Sequence, residues 1–134
     1  MKQSLYILIA LLTFSYSCKE KKTTTTTSTI EVITPQEMQQ ISQMDGVQLV
    51  DVRTPEEYSE GYIEGFQNID FFSNTFSQDI EKLDKSKPVI VYCKSGNRSA
   101  KSAKKMQEAG FYKIYDLEGG ITKWKLEGFE VKTN

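Results

Sequence analysis

Histidine is absent from all 134 residues. No imidazole can serve as a general base, so Ser-His-Asp and Cys-His hydrolases are excluded, together with nearly every histidine-ligated metal site. Cysteine occurs twice, as Cys18 and Cys93. Two sulfurs build neither a disulfide framework nor a four-cysteine zinc site, and no resident cofactor or metal is expected. A long apolar run is also missing. A bilayer-crossing helix takes about 20 apolar residues, whereas Leu5 to Leu12 is the unbroken stretch and even its extension to Tyr16 covers only twelve positions. At about 100–200 residues per domain, the length excludes a second folding unit.

What the N-terminus does contain reads as an address. Lys2, the Leu5–Leu12 run and Ser15-Tyr16-Ser17 supply the charged, apolar and small-residue sections of a secretory signal, expected to span 1–17. Cys18 follows the small residue directly, an arrangement that resembles a bacterial lipoprotein signal. That resemblance implies lipid on Cys18, a membrane anchor and an exported protein at the cell envelope. Ser15 departs from the leucine-like residue usual at the start of that motif, and ordinary signal cleavage near Ser17 is the alternative. Residues 18–29, with Lys19-Glu20-Lys21-Lys22 and a threonine-rich run, hold nothing apolar beyond Cys18 to bury and read as a flexible tether.

The remainder, 30–134, is expected to be the folded domain. Removing Lys2, Lys19, Lys21, Lys22 and Glu20 from the 17 bases and 18 acids leaves 13 against 17, net −4. A domain of that sign gives no reason to expect nucleic acid as a partner. Strands and helices alternate along it. Ile30–Ile33 is β-branched. Thr34-Pro35-Gln36-Glu37 then offers a capping box, with proline suited to the first helical turn and a helix expected to about Met44. Val47–Val52 reads as a second strand, and Thr54-Pro55-Glu56-Glu57 repeats the capping arrangement before Gly61 stops the helix. A further helix is expected from Ser73 or Asn74 to about Leu83, and Pro88 introduces Val89-Ile90-Val91-Tyr92, the clearest buried strand. After Cys93–Arg98, a helix carries Ser99, Ala103, Met106 and Gly110 on one stripe. Phe111–Leu117 reads as a strand, Glu118-Gly119-Gly120 as a turn, Ile121–Glu127 as a short helix, and Phe129–Lys132 as extended. Trp124 and Phe129 are assigned to the core. The alternation predicts an α/β fold: an open, mostly parallel sheet with helices on both faces.

Cys93 falls where the best strand ends and a helix begins, the position at which open α/β sheets bind ligands. Gly96 permits the chain to curl around the sulfur, so that N–H groups of the loop point inward as an anion-binding nest. Those dipoles, with Lys94 and Arg98, favour thiolate over thiol and make a nucleophile without histidine. A lone cysteine at a strand end is otherwise a small core residue. In an oxidising compartment, however, an unpaired thiol is a poor choice for packing alone. Lys101, Lys104 and Lys105 continue the positive run and read as a solvated helix face.

Three segments carry a resemblance. Cys93-Lys94-Ser95-Gly96-Asn97-Arg98-Ser99 looks like the active-site loop of single-domain rhodanese sulfurtransferases. Asp51-Val52-Arg53-Thr54-Pro55-Glu56-Glu57-Tyr58, with Gly61–Phe66 and Asn68-Ile69, resembles that family's N-terminal signature. Leu117-Glu118-Gly119-Gly120-Ile121, with Trp124, Gly128 and Val131, resembles its C-terminal one. Tyr62 stands where the family often has histidine, and Phe66 where a small residue is common. The resemblance implies a rhodanese-like sheet and a persulfide on Cys93 formed from a small anionic donor such as thiosulfate. It also implies transfer to a thiophilic acceptor, with Lys94 to Ser99 as the oxyanion loop. Arg98 has two readings there, orienting the donor or bracing the loop through an acid. Asp51 and Arg53 are read as structural, with Arg53 bonded to Glu57 or another acid.

Two other functions compete. A cysteine phosphatase or arsenate reductase also cradles a cysteine at a helix start. Cysteine phosphatases place five residues between cysteine and arginine, where this chain has Lys94 to Asn97. A non-enzymatic rhodanese-like binding or sulfur-carrier module is the second rival, against which the retained cysteine argues.

Overall fold

The structure is a computed structural model and describes residues 27–134. The signal read at 1–17, the lipidation site Cys18 and the tether up to 26 lie outside the described residues. In chain order the elements are β1 (Thr29–Ile33), α1 (Pro35–Ile41), β2 (Gln48–Asp51), α2 (Pro55–Glu60), β3 (Gln67–Asn68), α3 (Phe76–Ile80), β4 (Val89–Tyr92), α4 (Asn97–Glu108), β5 (Lys113–Leu117) and α5 (Gly120–Leu126). The five strands form one parallel sheet in the order β1-β5-β4-β2-β3, as the alternation predicts.

β4 occupies the centre, and its four residues are fully buried. Successive side chains alternate between the two faces, as strand geometry requires. Val89, Val91 and then Cys93 enter one core, where α3 and α4 contribute Phe76, Ile80, Ala103 and Met106. Ile90 and Tyr92 enter the other, with Met38 of α1 and Ile121 and Trp124 of α5. Cys93 therefore continues the alternation one residue past the strand and faces the underside of α4.

Both capping boxes form as read. Thr34 and Thr54 each accept from the N3 backbone while Glu37 and Glu57 reach back to the cap N–H groups. Element ends differ from expectation for local reasons. Thr29, read as tether, is the first residue of β1 and pairs with Lys113, and Ser28 bonds the Phe111 carbonyl. α1 stops at Ile41 because the next N–H groups close i→i+3 turns, Gln43 to Gln40 and Met44 to Ile41. α3 starts later than Ser73, whose hydroxyl instead accepts the Thr75 N–H at 3.1 Å. Phe111 and Tyr112 precede β5 because their N–H groups bond Met106 and Lys85 carbonyls. The terminal extended piece joins the fold through one antiparallel bridge, Tyr62 to Lys132.

Tyr62 and Phe66 have specific partners. Tyr62 stacks on Tyr58 with ring centroids 4.6 Å apart, and Phe66 meets Tyr92 edge-on at 4.9 Å. Trp124 and Phe129 stack at 4.4 Å, in the core role expected of them.

Candidate active site

The helix expected to follow Arg98 begins two residues earlier than Ser99, at Asn97, with Gly96 as its N-cap at φ 108°. That left-handed angle suits glycine and lets the chain reverse directly into α4. The loop proper is then Lys94, Ser95 and Gly96, and Asn97 and Arg98 belong to the first helical turn.

The sulfur sits inside this curl. The Gly96 N–H donates to Cys93 Sγ at 3.0 Å, and Ser99 Oγ lies 3.5 Å away. The loop is held from the far side by α5. Ile121 N–H donates to the Cys93 carbonyl at 2.9 Å and Thr122 N–H to the Lys94 carbonyl at 3.1 Å. Because a trans peptide points its C=O and N–H in opposite directions, these bonds turn the Lys94 and Ser95 N–H groups away from α5. Gly120 makes the approach possible. A Cβ there would stand 2.4 Å from the Cys93 carbonyl oxygen and 2.5 Å from that of Lys94, at φ +58°.

A second layer supports the loop from β2 and α2. Arg53 does not take the Glu57 carboxylate. Its guanidinium grips Asp51 Oδ2 at 2.7 Å and also donates to the Gly61 carbonyl at 2.7 Å and the Glu57 carbonyl at 3.3 Å. Asp51 is fully buried, and Tyr92 Oη donates to its Oδ2 at 2.6 Å while accepting the Ile63 N–H at 3.1 Å. Burial first, and then the Asp51 charge, drive the Tyr92 phenol well above its ordinary range. The Glu57 carboxylate instead binds Arg98 bidentately, at 2.7 and 2.8 Å. That guanidinium holds the Glu57 carboxyl down to about 2, and the same bond raises Arg98. Arg98 also lies 5.4 Å from the Phe72 ring centroid. Of its two expected roles, bracing the loop through an acid is the one present in the geometry.

The predicted site residues thus gather at one end of the sheet with unequal exposure. Cys93 is 1% exposed and Ser99 fully buried, Gly96 and Arg98 are half-buried, and Lys94, Ser95 and Asn97 are exposed. Clefts flank the loop on two sides. One of about 240 Å³ is lined by Lys94, Arg53, Gly61 and Ile121, and one of about 550 Å³ by Asn97, Arg98, Phe71 and Phe72. Among the described residues no acid or cysteine cluster could hold a metal.

Sequence reasoning missed three contributors. Glu57 was legible as a capping residue but not as the partner of Arg98, 41 positions away. Gly120 was read only as a turn. Asp116, the single acid inside the strand read at Phe111–Leu117, is 6% exposed beside the site; an acid between Tyr115 and Leu117 near the strand's end was the available signal.

The rhodanese-like domain family matches residues 34–127, most of the chain. The chain belongs to the rhodanese-like family. A rhodanese-like relative, thiosulfate sulfurtransferase GlpE of Pseudomonas aeruginosa, is 32% identical over 97 residues, covering 72% of this chain and 86% of its own length. Solved structures are similar to this chain over most of its length. A rhodanese-related protein from Thermoplasma volcanium has TM-score 0.69 and 29% identity, covering 78% of this chain and 99% of that one. The polysulfide-sulfur transferase homodimer from Wolinella succinogenes has TM-score 0.66 and 30% identity, covering 78% and 80%.

Proposed function

We propose that this rhodanese-like protein is a sulfurtransferase that carries sulfane sulfur as a persulfide on Cys93, taking it from a small anionic donor such as thiosulfate. The observation that carries this reading is the Gly96 N–H aimed at Cys93 Sγ at 3.0 Å, in a loop whose carbonyls are bound elsewhere. In the first step the Cys93 thiolate attacks the outer sulfur of thiosulfate. An S–S bond forms to Sγ, the bond to the sulfonate sulfur breaks, and its electron pair leaves with sulfite. In the second, a thiophilic acceptor such as cyanide takes the outer sulfur and returns the thiolate. Loop N–H groups stabilise the anionic sulfur at each stage. Lys94 at the rim attracts the dianion, and Arg98, fixed to Glu57, keeps the first turn of α4 in place. The near-complete burial of Cys93 favours a compact donor over a bulky one.

Thiocyanate formation from thiosulfate and cyanide tests the assignment. The expected result is turnover by the wild type and none by Cys93→Ser. Turnover surviving in Cys93→Ser would remove Cys93 from the reaction, and its absence in the wild type would leave a binding module. We further propose that the chain is exported and anchored through lipid on Cys18, on the strength of the charged, apolar and small-residue order before it. Cys18→Ala is expected to move the protein out of the membrane fraction, and an unchanged fraction would refute the anchor.

A further inference from the structure

Phe72 is 67% exposed, whereas Phe66, Phe76 and Phe111 are buried and Phe71 and Phe129 pack against the two cores. The turn that displays it is well tied. Asp70 Oδ1 accepts the Phe72 N–H at 2.9 Å, the Asp70 carbonyl accepts the Ser73 N–H at 3.1 Å, and the Phe71 N–H donates to the Val52 carbonyl at 3.1 Å. The Phe72 ring meets Phe71 edge-on at 5.7 Å, and Phe71 meets Phe76 in the same way at 5.5 Å. The exposed ring is thus the outer end of an aromatic row that starts in the core, and it borders the cleft of about 550 Å³ beside the Cys93 loop. Apolar surface held open at a concave site marks a place of contact.

The charge around this row has one sign. α4 carries Arg98, Lys101, Lys104 and Lys105 before its one acid, Glu108, although the domain as a whole is acidic. Arg98 is spoken for by Glu57, and Lys105 lies over the Phe71 ring at 5.5 Å. Lys101 and Lys104 are exposed and make no ion pair among the described residues. Lys101 lines the cleft, and Lys104 follows it three residues on, on the same side of the helix. An apolar centre with free cations at its edge is complementary to an apolar side chain flanked by carboxylates.

We propose that this cleft docks an acidic segment of a partner protein, with an aliphatic or aromatic side chain against Phe71 and Phe72 and carboxylates on Lys101 and Lys104. An anionic bilayer would match the charge but presents a flat face, whereas this surface is concave and has Glu57 in its wall. Asn97 and Arg98, which also line the cleft, continue directly from the Cys93 loop, so a docked partner stands beside the sulfur.

Fluorescence anisotropy on the full chain tests the surface without any sulfur donor. The probe is a short, labelled, cysteine-free peptide in which leucine and phenylalanine are flanked by glutamates. One control peptide carries glutamine for every glutamate, and another carries alanine for the leucine and phenylalanine. The acidic apolar peptide is expected to bind, and more weakly as salt screens the exposed charges. Both control peptides are expected to bind about tenfold more weakly or less, since each lacks one half of the complementarity. Phe72→Ser and Lys101→Glu are each expected to weaken the acidic apolar peptide by about tenfold, through loss of an aromatic anchor and through reversal of an attractive charge. Lys125→Glu, the same change of charge on an exposed residue of α5, is expected to bind as the wild type does. Absence of binding, equal affinity for the glutamate and glutamine peptides, or unchanged affinity in Phe72→Ser and Lys101→Glu would overturn the proposal. Binding to phosphatidylglycerol vesicles in place of the peptide, lost in the same two variants, would assign the surface to a membrane and overturn it as well. Peptide binding in a protein that makes no thiocyanate would refute the sulfurtransferase reading and leave the docking surface standing.

Discussion

Tyr92 shows how much a single side chain contributes behind this loop. Its ring fills the space beside Phe66, and its hydroxyl joins the buried Asp51 carboxylate to the Ile63 N–H. Tyr92→Phe keeps the ring but leaves that N–H without an acceptor and removes one donor from Asp51. The expected loss is about 1–3 kcal/mol in urea unfolding, the cost of buried groups left unpaired. A variant as stable as the wild type would show that water takes the place of the hydroxyl. Residues of this kind were only partly legible. Tyr92 reads in the sequence as one apolar position in a buried strand, and nothing local announces that its hydroxyl meets Asp51, 41 positions away. Cys93, Gly96 and Ser99 were legible because strand end, turn and helix start are consecutive in the chain.

At the scale of elements, α5 orients the loop from behind. Its first turn brings the Ile121 and Thr122 N–H groups onto the Cys93 and Lys94 carbonyls, and the contact closes only because residue 120 has no side chain. Gly120→Ala would place a methyl against backbone that cannot move without reorienting the loop, at a positive φ that alanine avoids. Thiocyanate formation is expected to fall by at least about tenfold, as misplacement of reacting groups by an ångström commonly costs that or more. Gly128→Ala, which meets nothing within 4 Å although its φ is also positive, separates the backbone penalty from the clash. Equal losses in the two variants would remove the clash from the explanation. The elements themselves follow from local chemistry: threonine caps with proline behind them, a β-branched central strand, Gly61 at the end of α2. Their ends were less legible, because α3 and α4 begin where Ser73 and Gly96 bend the chain, decisions made by hydrogen bonds and backbone angle rather than by hydrophobic period.

For the whole molecule, two carboxyls beside the site act on stability with opposite pH dependence. Glu57 ionises more easily in the folded state, at about 2 against an ordinary 4.5, because Arg98 binds it. Its contribution is complete above the ordinary value and is lost as the pH falls towards the folded one. Glu57→Gln is therefore expected to cost about 1.5–3 kcal/mol at neutral pH, the range for a hydrogen bond to a charged group. The deficit should shrink in acid as the wild-type carboxyl itself is protonated. Asp116 is the reverse case. Folding raises it from 3.8 to about 6, so the wild type loses stability as the pH rises through that interval. Asp116→Asn is expected to gain on the order of 1–3 kcal/mol at neutral pH and nothing below the lower value. Thermal unfolding of the two variants across pH checks both. A pH-independent difference in either variant would mean that its carboxyl does not titrate as described.

The central claim, that Cys93 holds transferable sulfur, is tested most directly by the mass of the reduced, intact protein. Measurements are taken before thiosulfate, after thiosulfate, and after a following addition of cyanide. The account predicts a gain of one sulfur atom in the second spectrum and its loss in the third, with Cys93→Ser unchanged throughout. No gain in the wild type, or a gain that persists in Cys93→Ser, would contradict it.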